Sequence, residues 1–568
     1  MYCGDETGSF VGEVTSSSCR FGYGGEDCPK AVYSSYMHRD GTIPTSTHRI
    51  PPDQQDVIPI FAPSPKLACS SSSSSSSSHN HPALDPNQYM VNDGVIEHWD
   101  AWENVWHRAF LDLNVATRDK HTKGITKIPL MRKTKISHAS GIQSSFTNGK
   151  RMDNKDHHPV EEGEIIHPIL TIDSGHTTLL DDSYTVGTGA KYQQSVQQKQ
   201  RATMIEIMYE SFQAPATFIA PSPMLAAFGN GRQTALVVDI GANGTRVTPI
   251  VEGMVLQQAQ RRNGRGGEYL SAVQEHVLRN IVLKRRDVVP RYVVRAKQQS
   301  HGDDHDKKDY QRFMERIKIG GFHRVQDSIF HQMALRDVMY EMKTSPHVEG
   351  VALYRHNDWT IPFLNNDNDY EDDEEMELDE SAMEADVNDT TQERKGEQVE
   401  NAQKNFYKLP DGTIIRLGNK KIKDIKRLPE LLFAAELPFL LSDEENESKS
   451  DCPRHPTLST LPLHELVKES LSAVVDADVR KELCGNIVLT GAASLCANIE
   501  SRMSLEIQYL VPKMYRCKVI ASRNTVERKF ASWIGGSILS SLGSFQQLWL
   551  SKKEYEEYGM TLATQRFP

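Results

Sequence analysis

Large apolar residues recur at three- and four-residue steps from Trp533 through Ile534, Ile538, Leu542 and Phe545 to Trp549. This spacing predicts one helix, or two short ones, with those side chains on a core face. Gly535 and Gly536 leave the first turn without side chains, so another backbone can approach, and Glu527, Arg528 and Lys529 place fixed charges just ahead of it. A second helical stripe, Trp99, Trp102, Trp106 and Phe110, reads as core, with Asp100 and Glu103 at capping-box spacing. Residues 201–231 predict a helix through Met208 and Phe212, a strand at Thr217–Ala220, then a turn and a helix. Near the amino terminus a short strand, a polar turn from Glu13 to Ser17 and a second strand ending at Gly24-Gly25 form a hairpin. An apolar strand ending near Asp239, a turn from Gly241 to Gly244 and a returning strand form another. Residues 406–433 predict a third hairpin, turning at Asp411-Gly412 and followed by a helix start at a proline, and residues 463–503 predict helix, strand and helix.

Between these patterned stretches lie long polar ones. Residues 36–92 turn to Pro, His and Ser, with an unbroken serine run from Ser70 to Ser78. Such a composition buries too little apolar area to offset its ordering entropy, and disorder is the expectation. Residues 133–200 read as a polar surface insertion with one apolar patch, Ile165–Leu180, that can fold. Residues 371–380, EDDEEMELDE, carry eight carboxylates in ten positions, whose repulsion keeps the 365–405 stretch open. The composition agrees: 568 residues with 38% hydrophobic content and a mean hydropathy of -0.53 hold less core than the length suggests. A net charge of -11 disfavours a general nucleic-acid binder and leaves room for local basic contacts, at Lys284-Arg285-Arg286 or Lys307–Lys318. The eight cysteines show no zinc-ligand spacing and fit reduced, buried thiols. No apolar run reaches a membrane span and no signal pattern opens the chain, so an intracellular, soluble protein is expected.

Three turns carry candidate chemistry. Around the first, Glu13, Thr15, Ser16, Ser17 and Arg20 surround a tip of small residues whose N–H groups can point at an anion, although most such hairpins bind nothing. At the second, Asp239 ends a strand ahead of Gly241, Ala242, Asn243 and Gly244. A carboxylate there can hold metal-bound waters while N–H groups hold phosphate oxygens. At the third, Gly491, Ala492 and Ala493 lie between a strand and a helix start, a position that suits an anion or a close-lying ribose and base.

The wording of the chain goes further. NTVERKFASWIGGSILSSLGSFQQLWLSKKEYEE at 524–557 resembles the last helices of actin and the actin-related proteins. Its Asn524-Thr525-Val526 insertion is similar to the nuclear, class-four branch. FGYGGEDCPKA at 21–31, the 93–131 helix, residues 201–270, 406–440 and 460–568 resemble that family in the same order. The resemblance implies the two-lobed α/β ATPase fold shared by actin, the Hsp70 chaperones and sugar kinases, ribonuclease H-like and here interrupted by disordered insertions. It implies the following division: 1–32, 93–132, 201–231 and 530–568 in lobe one; 33–92 a degenerate small subdomain; 133–200 an insertion; 232–264 the second phosphate loop; 265–364 and 406–442 a divergent fourth subdomain; 365–405 an acidic insertion; 443–456 a linker; 457–529 the adenosine side of lobe two.

The resemblance also implies ATP, with Mg²⁺, between the lobes. The nucleotide would lie along Thr15, Ser16, Ser17, Arg20, Gly241, Ala242, Asn243, Gly244, Gly266, Gly491, Ala492, Ala493 and Lys529, and the metal beside Glu13 and Asp239. Several family positions are altered. Thr15 and Ser17 replace loop glycines, Ser222 the water-orienting glutamine, Ala242 an aspartate, Arg246 a histidine that assists hydrolysis, and Cys496 an aromatic that packs on adenine. Phosphoryl transfer to water needs positioned metal, phosphates and nucleophile, so little or no hydrolysis is expected and no enzyme activity is assigned. The resemblance points to a nuclear scaffold subunit of chromatin-remodelling or histone acetyltransferase complexes. It would pair with actin on a helix of the remodelling ATPase, contact histones or nucleosomes through the acidic stretch, and form no filament. The alternative is an ATP-hydrolysing cytoskeletal actin-related protein.

Overall fold

The computed structural model describes residues 8–35, 90–92, 94–115, 117–119, 125–126, 163–175, 189–279, 329–344, 406–410, 413–416, 428–434 and 461–567, with 283, 288, 290 and 351 between them. The expectations for 36–89, for 365–405, for the 443–456 linker, for the Asp411-Gly412 turn and for the two basic runs lie outside these residues.

Two lobes repeat one plan. In lobe one, β1 (Phe10–Val14), β2 (Ser18–Tyr23) and β3 (Ala31–Ser34) form an antiparallel meander, β4 (Ile169–Asp173) pairs parallel with β1, and β5 (Ala216–Pro221) pairs parallel with β4. In lobe two, β6 (Ala235–Ile240), β7 (Thr245–Val251) and β8 (Met254–Val255) form the meander, with β9 (Arg261–Asn263) also on β7. There β10 (Ile487–Thr490) pairs parallel with β6, and β11 (Val519–Ile520) pairs parallel with β10. A last strand, β12 (Leu550–Ser551), returns antiparallel to the edge of β5. Every residue of β1, β4 and β10 is buried, as parallel pairing with helices on both faces requires.

β4 corrects the reading of 133–200 as an insertion. Its five residues, ILTID, are wholly buried between β1 and β5 in the middle of the first sheet, and α2 (Gly189–Glu206) also begins inside that stretch. The polar composition around this short strand masks it, although the apolar patch did mark its place.

α1 (Trp99–Asp112) lays Trp102, Trp106 and Phe110 into the lobe-one core, where the Trp106 ring centroid lies 4.9 Å from that of Phe21. A Cβ on Gly12 would come within 2.2 Å of the Trp106 ring, so the strand reaches the helix only because that residue has no side chain. The expected capping box is not formed. The helix starts at Trp99, His98 is its N-cap without a side-chain bond, and Asp100 falls inside the first turn, where its charge still favours the helix dipole.

α3 (Ser222–Gly229) joins β5 to β6 and so carries the chain from lobe one to lobe two. In lobe two follow α4 (Gly267–Val277), α5 (Ile329–Thr344), α6 (Leu463–Ala473), α7 (Ala477–Gly485), α8 (Ile499–Leu510) and α9 (Thr525–Lys529). α10 (Ala531–Ser541) then returns to lobe one, and α11 (Lys552–Arg566) starts at a complete capping box between Ser551 and Glu554.

The stripe expected as the core face of 533–549 divides. Trp533, Phe545 and Trp549 are buried, but Ile538 and Leu542 are 40% and 39% exposed. The helix ends at Ser541, Leu542 is extended and a 3₁₀ turn covers Gly543–Gln547, so the helical period does not run through. The buried face of α10 is made mostly of small residues, Ala531, Ser532, Gly535, Gly536, Ser537 and Ser540, beside Trp533. That face lets α10 cross α3 at backbone contact: a Cβ on Gly535 would lie 1.9 Å from the Leu225 carbonyl oxygen, and one on Gly229 would lie 3.0 Å from that of Ala531. Gly535→Ala must therefore push the two helices apart. A loss of about 1–3 kcal/mol or more is expected, read as a lower thermal unfolding midpoint, whereas an alanine at the uncrowded Gly543 should change little.

Candidate nucleotide cleft

The first turn of each lobe sits on a hairpin with an acid on the first strand directly opposite an arginine on the second. Glu13 of β1 faces Arg20 of β2, and Asp239 of β6 faces Arg246 of β7. Both pairs are seven residues apart in sequence, so the two hairpins share a register as well as a topology.

In the first hairpin Arg20 Nη1 lies 2.8 Å from Glu13 Oε2, and Ser532 of α10 donates to the other carboxylate oxygen. Glu13 is 1% exposed, so removal from water is offset by this ion pair and hydroxyl. The turn itself is closed by Thr15: its N–H donates to Ser18 O, its hydroxyl donates to the same oxygen at 2.9 Å, and Ser18 N–H donates back to the hydroxyl. Two of the turn's N–H groups are thereby bonded within the protein. Ser16 and Ser17 occupy its tip, and Ser17 O accepts from Ser35 N–H.

The second turn is held from behind by α4. Gly267 N–H donates to Gly241 O and Glu268 N–H to Ala242 O, each at 2.9 Å, while Gly241 N–H donates to Gly244 O. A Cβ on Gly266 would come within 2.4 Å of Ala242 O and of Gly244 N, so glycine is required for this closure. Asn243 Oδ1 is buried without a hydrogen-bond partner among the described residues. Gly491 has φ +94°, a left-handed conformation, and a Cβ there would lie 2.5 Å from Asp239 Oδ1, so β10 brings the third turn against the second. Ala492 and Ala493 lie in a 3₁₀ turn, Ala492–Leu495, rather than at the start of an α-helix; α8 begins only after Asn498. Burial pushes the Asp239 carboxyl above the ordinary carboxylate range, against the pull of Arg246 and Arg20. Arg20 and Glu13 lie close enough to Asp239 to act on its charge, so the two hairpins are neighbours.

On the adenosine side, Lys529 at the end of α9 holds Nζ 5.6 Å from the Tyr340 ring centroid of α5 and 5.3 Å from that of Phe530. Burial and the Arg20 charge both lower its pKa. Lys343, one turn beyond Tyr340, donates to Gly267 O at 2.6 Å and to Ser271 Oγ at 2.7 Å. Burial brings the Lys343 pKa down to about 8.

Sequence reasoning did not single out Asp173, Arg201, Ser532, Tyr340 or Lys343. Asp173 ends β4 ahead of Ser174-Gly175, just as Asp239 closes β6 ahead of a glycine turn, and that repeated strand–acid–glycine wording was the available signal. Asp173 is fully buried and accepts from Arg201 Nε at 2.9 Å and from Gly175 N–H at 3.0 Å. The α5 residues carried no local signal, because their role comes from packing of α5 on α4.

Comparison with known proteins agrees with this architecture. The sequence profile of the Actin family matches residues 4–568. The chain belongs to the actin family. Over their whole lengths it is 28% identical to an Actin-related protein 4 of Arabidopsis thaliana. It is 26% identical to one of Emericella nidulans, across all of this chain and 97% of that one, and 26% identical to one of Neurospora crassa, across all of this chain and 96% of that one. The two lobes of this actin-family chain are accordingly those of the actin fold, which generally binds ATP with Mg²⁺.

The two ends of such a ligand meet different surroundings here. At one end, Gly266 and Gly491 let the second and third turns close on their neighbours at backbone contact, and Lys529 stands beside its aromatic rings. The metal end does not fit two carboxylates: Glu13 has both oxygens bonded within the protein, which leaves Asp239 with the charge of Arg246 in its field, and no group of three or more His, Cys, Asp or Glu among the described residues could hold a metal ion.

Glu13→Gln should leave the Arg20 guanidinium inside the cleft without its counter-charge, at a cost of about 3–5 kcal/mol, and the double change with Arg20→Met should recover most of the thermal midpoint. A lysine held below its usual pKa makes the folded chain bind fewer protons than the unfolded chain between about pH 8 and the ordinary 10.5. Stability from Lys343 thus rises with pH across that window. The midpoint of the wild-type chain minus that of Lys343→Met should climb from pH 8 to 10 and be flat below.

Proposed function

We propose that this actin-family chain is a nuclear scaffold subunit of chromatin-remodelling or histone acetyltransferase complexes, pairing with actin on a helix of the remodelling ATPase and hydrolysing little or no ATP. The observation that carries the docking half of this reading is the apolar row Ile538, Leu542 and Leu548, 40%, 39% and 51% exposed, just beyond the buried small-residue face of α10. Apolar side chains at the break between a helix and a 3₁₀ turn suit the anchors of an incoming amphipathic helix. The full-length likeness to proteins named Actin-related protein 4 supports the class.

The second half rests on the cleft. Ser222 is too short for the water-orienting reach of a glutamine, Ala242 has no carboxylate, and Arg246 replaces the assisting histidine, so the parts that place the attacking water and the metal are missing together. ATP, where it binds, is a structural ligand along the backbone of 241–244, Gly266 and Gly491–Ala493, beside Thr15–Ser17 and Lys529. The acidic 365–405 stretch attracts basic histone tails by its charge.

Affinity purification of the tagged chain from nuclear extract, read by mass spectrometry, tests the proposal. Actin and a remodelling ATPase should copurify, and Ile538→Asp with Leu542→Asp should cut that recovery by about tenfold or more without shifting the thermal midpoint. Steady phosphate release or salt-induced polymerisation by the purified chain would instead support the cytoskeletal alternative.

A further inference from the structure

Arg246 makes contacts that neither phosphate chemistry nor docking explains. It stands on β7 of lobe two, yet its Nη1 donates to Ser174 O and, at 3.1 Å, to Gly175 O, both on the turn after β4 of lobe one. That turn is prepared from its own side. Asp173 binds Gly175 N–H with one oxygen and the buried Arg201 with the other. Gly94 gives the guanidinium room: a Cβ there would lie 3.0 Å from Arg246 Nη2 and 2.1 Å from Gly175 O. Gly94 is in turn fixed by Gln200, whose amide donates to Gly94 O at 2.9 Å and accepts from Ile96 N–H at 3.0 Å. A long, forked cation thus enters a receptor of two carbonyls whose supports are buried and hydrogen-bonded.

The charges around it alternate. Arg201 pairs with Asp173, Arg246 lies in the field of both Asp173 and Asp239, Asp239 feels Arg246 and Arg20, and Arg20 pairs with Glu13. Three carboxylates are matched by three guanidiniums across the cleft. Mg²⁺ needs oxygen ligands at about 2.0–2.1 Å in near-octahedral order; here Glu13 and Asp173 are already bonded to arginines, and Asp239 has the charge of Arg246 in its field.

We propose that Arg246 is a built-in clasp between the lobes, supplying the positive charge that a divalent cation would bring, so that this cleft stays closed without metal. The clasp bears on the low-hydrolysis half of the proposed function and not on partner docking, and its test needs no partner, so either can fail alone.

The experiment uses the full chain with ATP present throughout, in EDTA or in Mg²⁺, and reads the thermal midpoint and amide hydrogen exchange. The midpoint should agree within about 1 °C between the two conditions, and exchange at residues 94–96 and 174–175 should be equally slow in both. Arg246→Lys keeps a cation but on a shorter side chain that ends before the position of Nη1, so it should fold and exchange about tenfold faster at both segments. Arg246→Ala should do the same if it folds; Arg246→Lys decides the matter if it does not. A midpoint several degrees lower in EDTA for the wild-type chain, or unchanged exchange in Arg246→Lys, overturns the proposal.

Discussion

The crossing of α3 and α10 is the constraint from which the rest of the arrangement follows. The chain passes between lobes twice in the described structure, through α3 on the way out and into α10 on the way back, and the two helices touch through Gly229 and Gly535 with no side chain between them. Close-packed interiors do not deform continuously. A crossing at backbone contact therefore fixes the angle of one lobe against the other more tightly than interdigitated side chains would, and the cleft opposite inherits that angle. The same helix supplies Trp533, whose ring fills the space under β1 and donates to Val11 O, and Ser532, which bonds Glu13. Hinge and cleft are thus one structural unit.

The two hairpins then give the cleft its electrostatic character. In each, an acid faces an arginine in register, and this pairing is a property of strand geometry alone: opposite positions on adjacent strands bring side chains into contact on one face. Arg20 pairs with Glu13 and Arg246 stands in the field of Asp239, so what could be a cation-attracting mouth carries positive charge of its own. Thr15 acts in the same direction by bonding its own turn closed. Each change is local, and together they satisfy buried groups within the protein.

Much of the fold was legible because its signals were local. The Trp102, Trp106 and Phe110 stripe, the strand ending at Asp239 and the glycine pair at 535–536 each state their role within a few residues. The misses share a different cause. β4 is five residues long inside a polar stretch, and its burial is decided by β1 and β5 on either side, far away in sequence. Leu542 lies where the helix stops, and Ile538, inside α10, falls on the face away from Trp533, so an unbroken period put both on the wrong side. At the cleft, sequence named the residues of the turns but not their commitments. That Glu13 is already bound by Arg20 and Ser532 depends on a register and on a helix returning more than five hundred residues later. Lys343 and Tyr340 reach the cleft only through packing of α5 on α4.

A cleft satisfied by its own charges has a thermodynamic consequence that suits a scaffold. A ligand that binds only the folded state adds stability in proportion to the logarithm of its concentration over its dissociation constant, so a fold that needs metal-nucleotide to stay closed follows the supply of both. Buried ion pairs contribute little net stability, but losing one partner costs much more than the pair gives. Such pairs therefore specify a geometry more than they strengthen it. With the lobe angle set by the glycine crossing and the cleft held by paired charges, the outer surface of α10 is free of structural duty. Its exposed apolar residues can then be set by what docks there rather than by what keeps the lobes together.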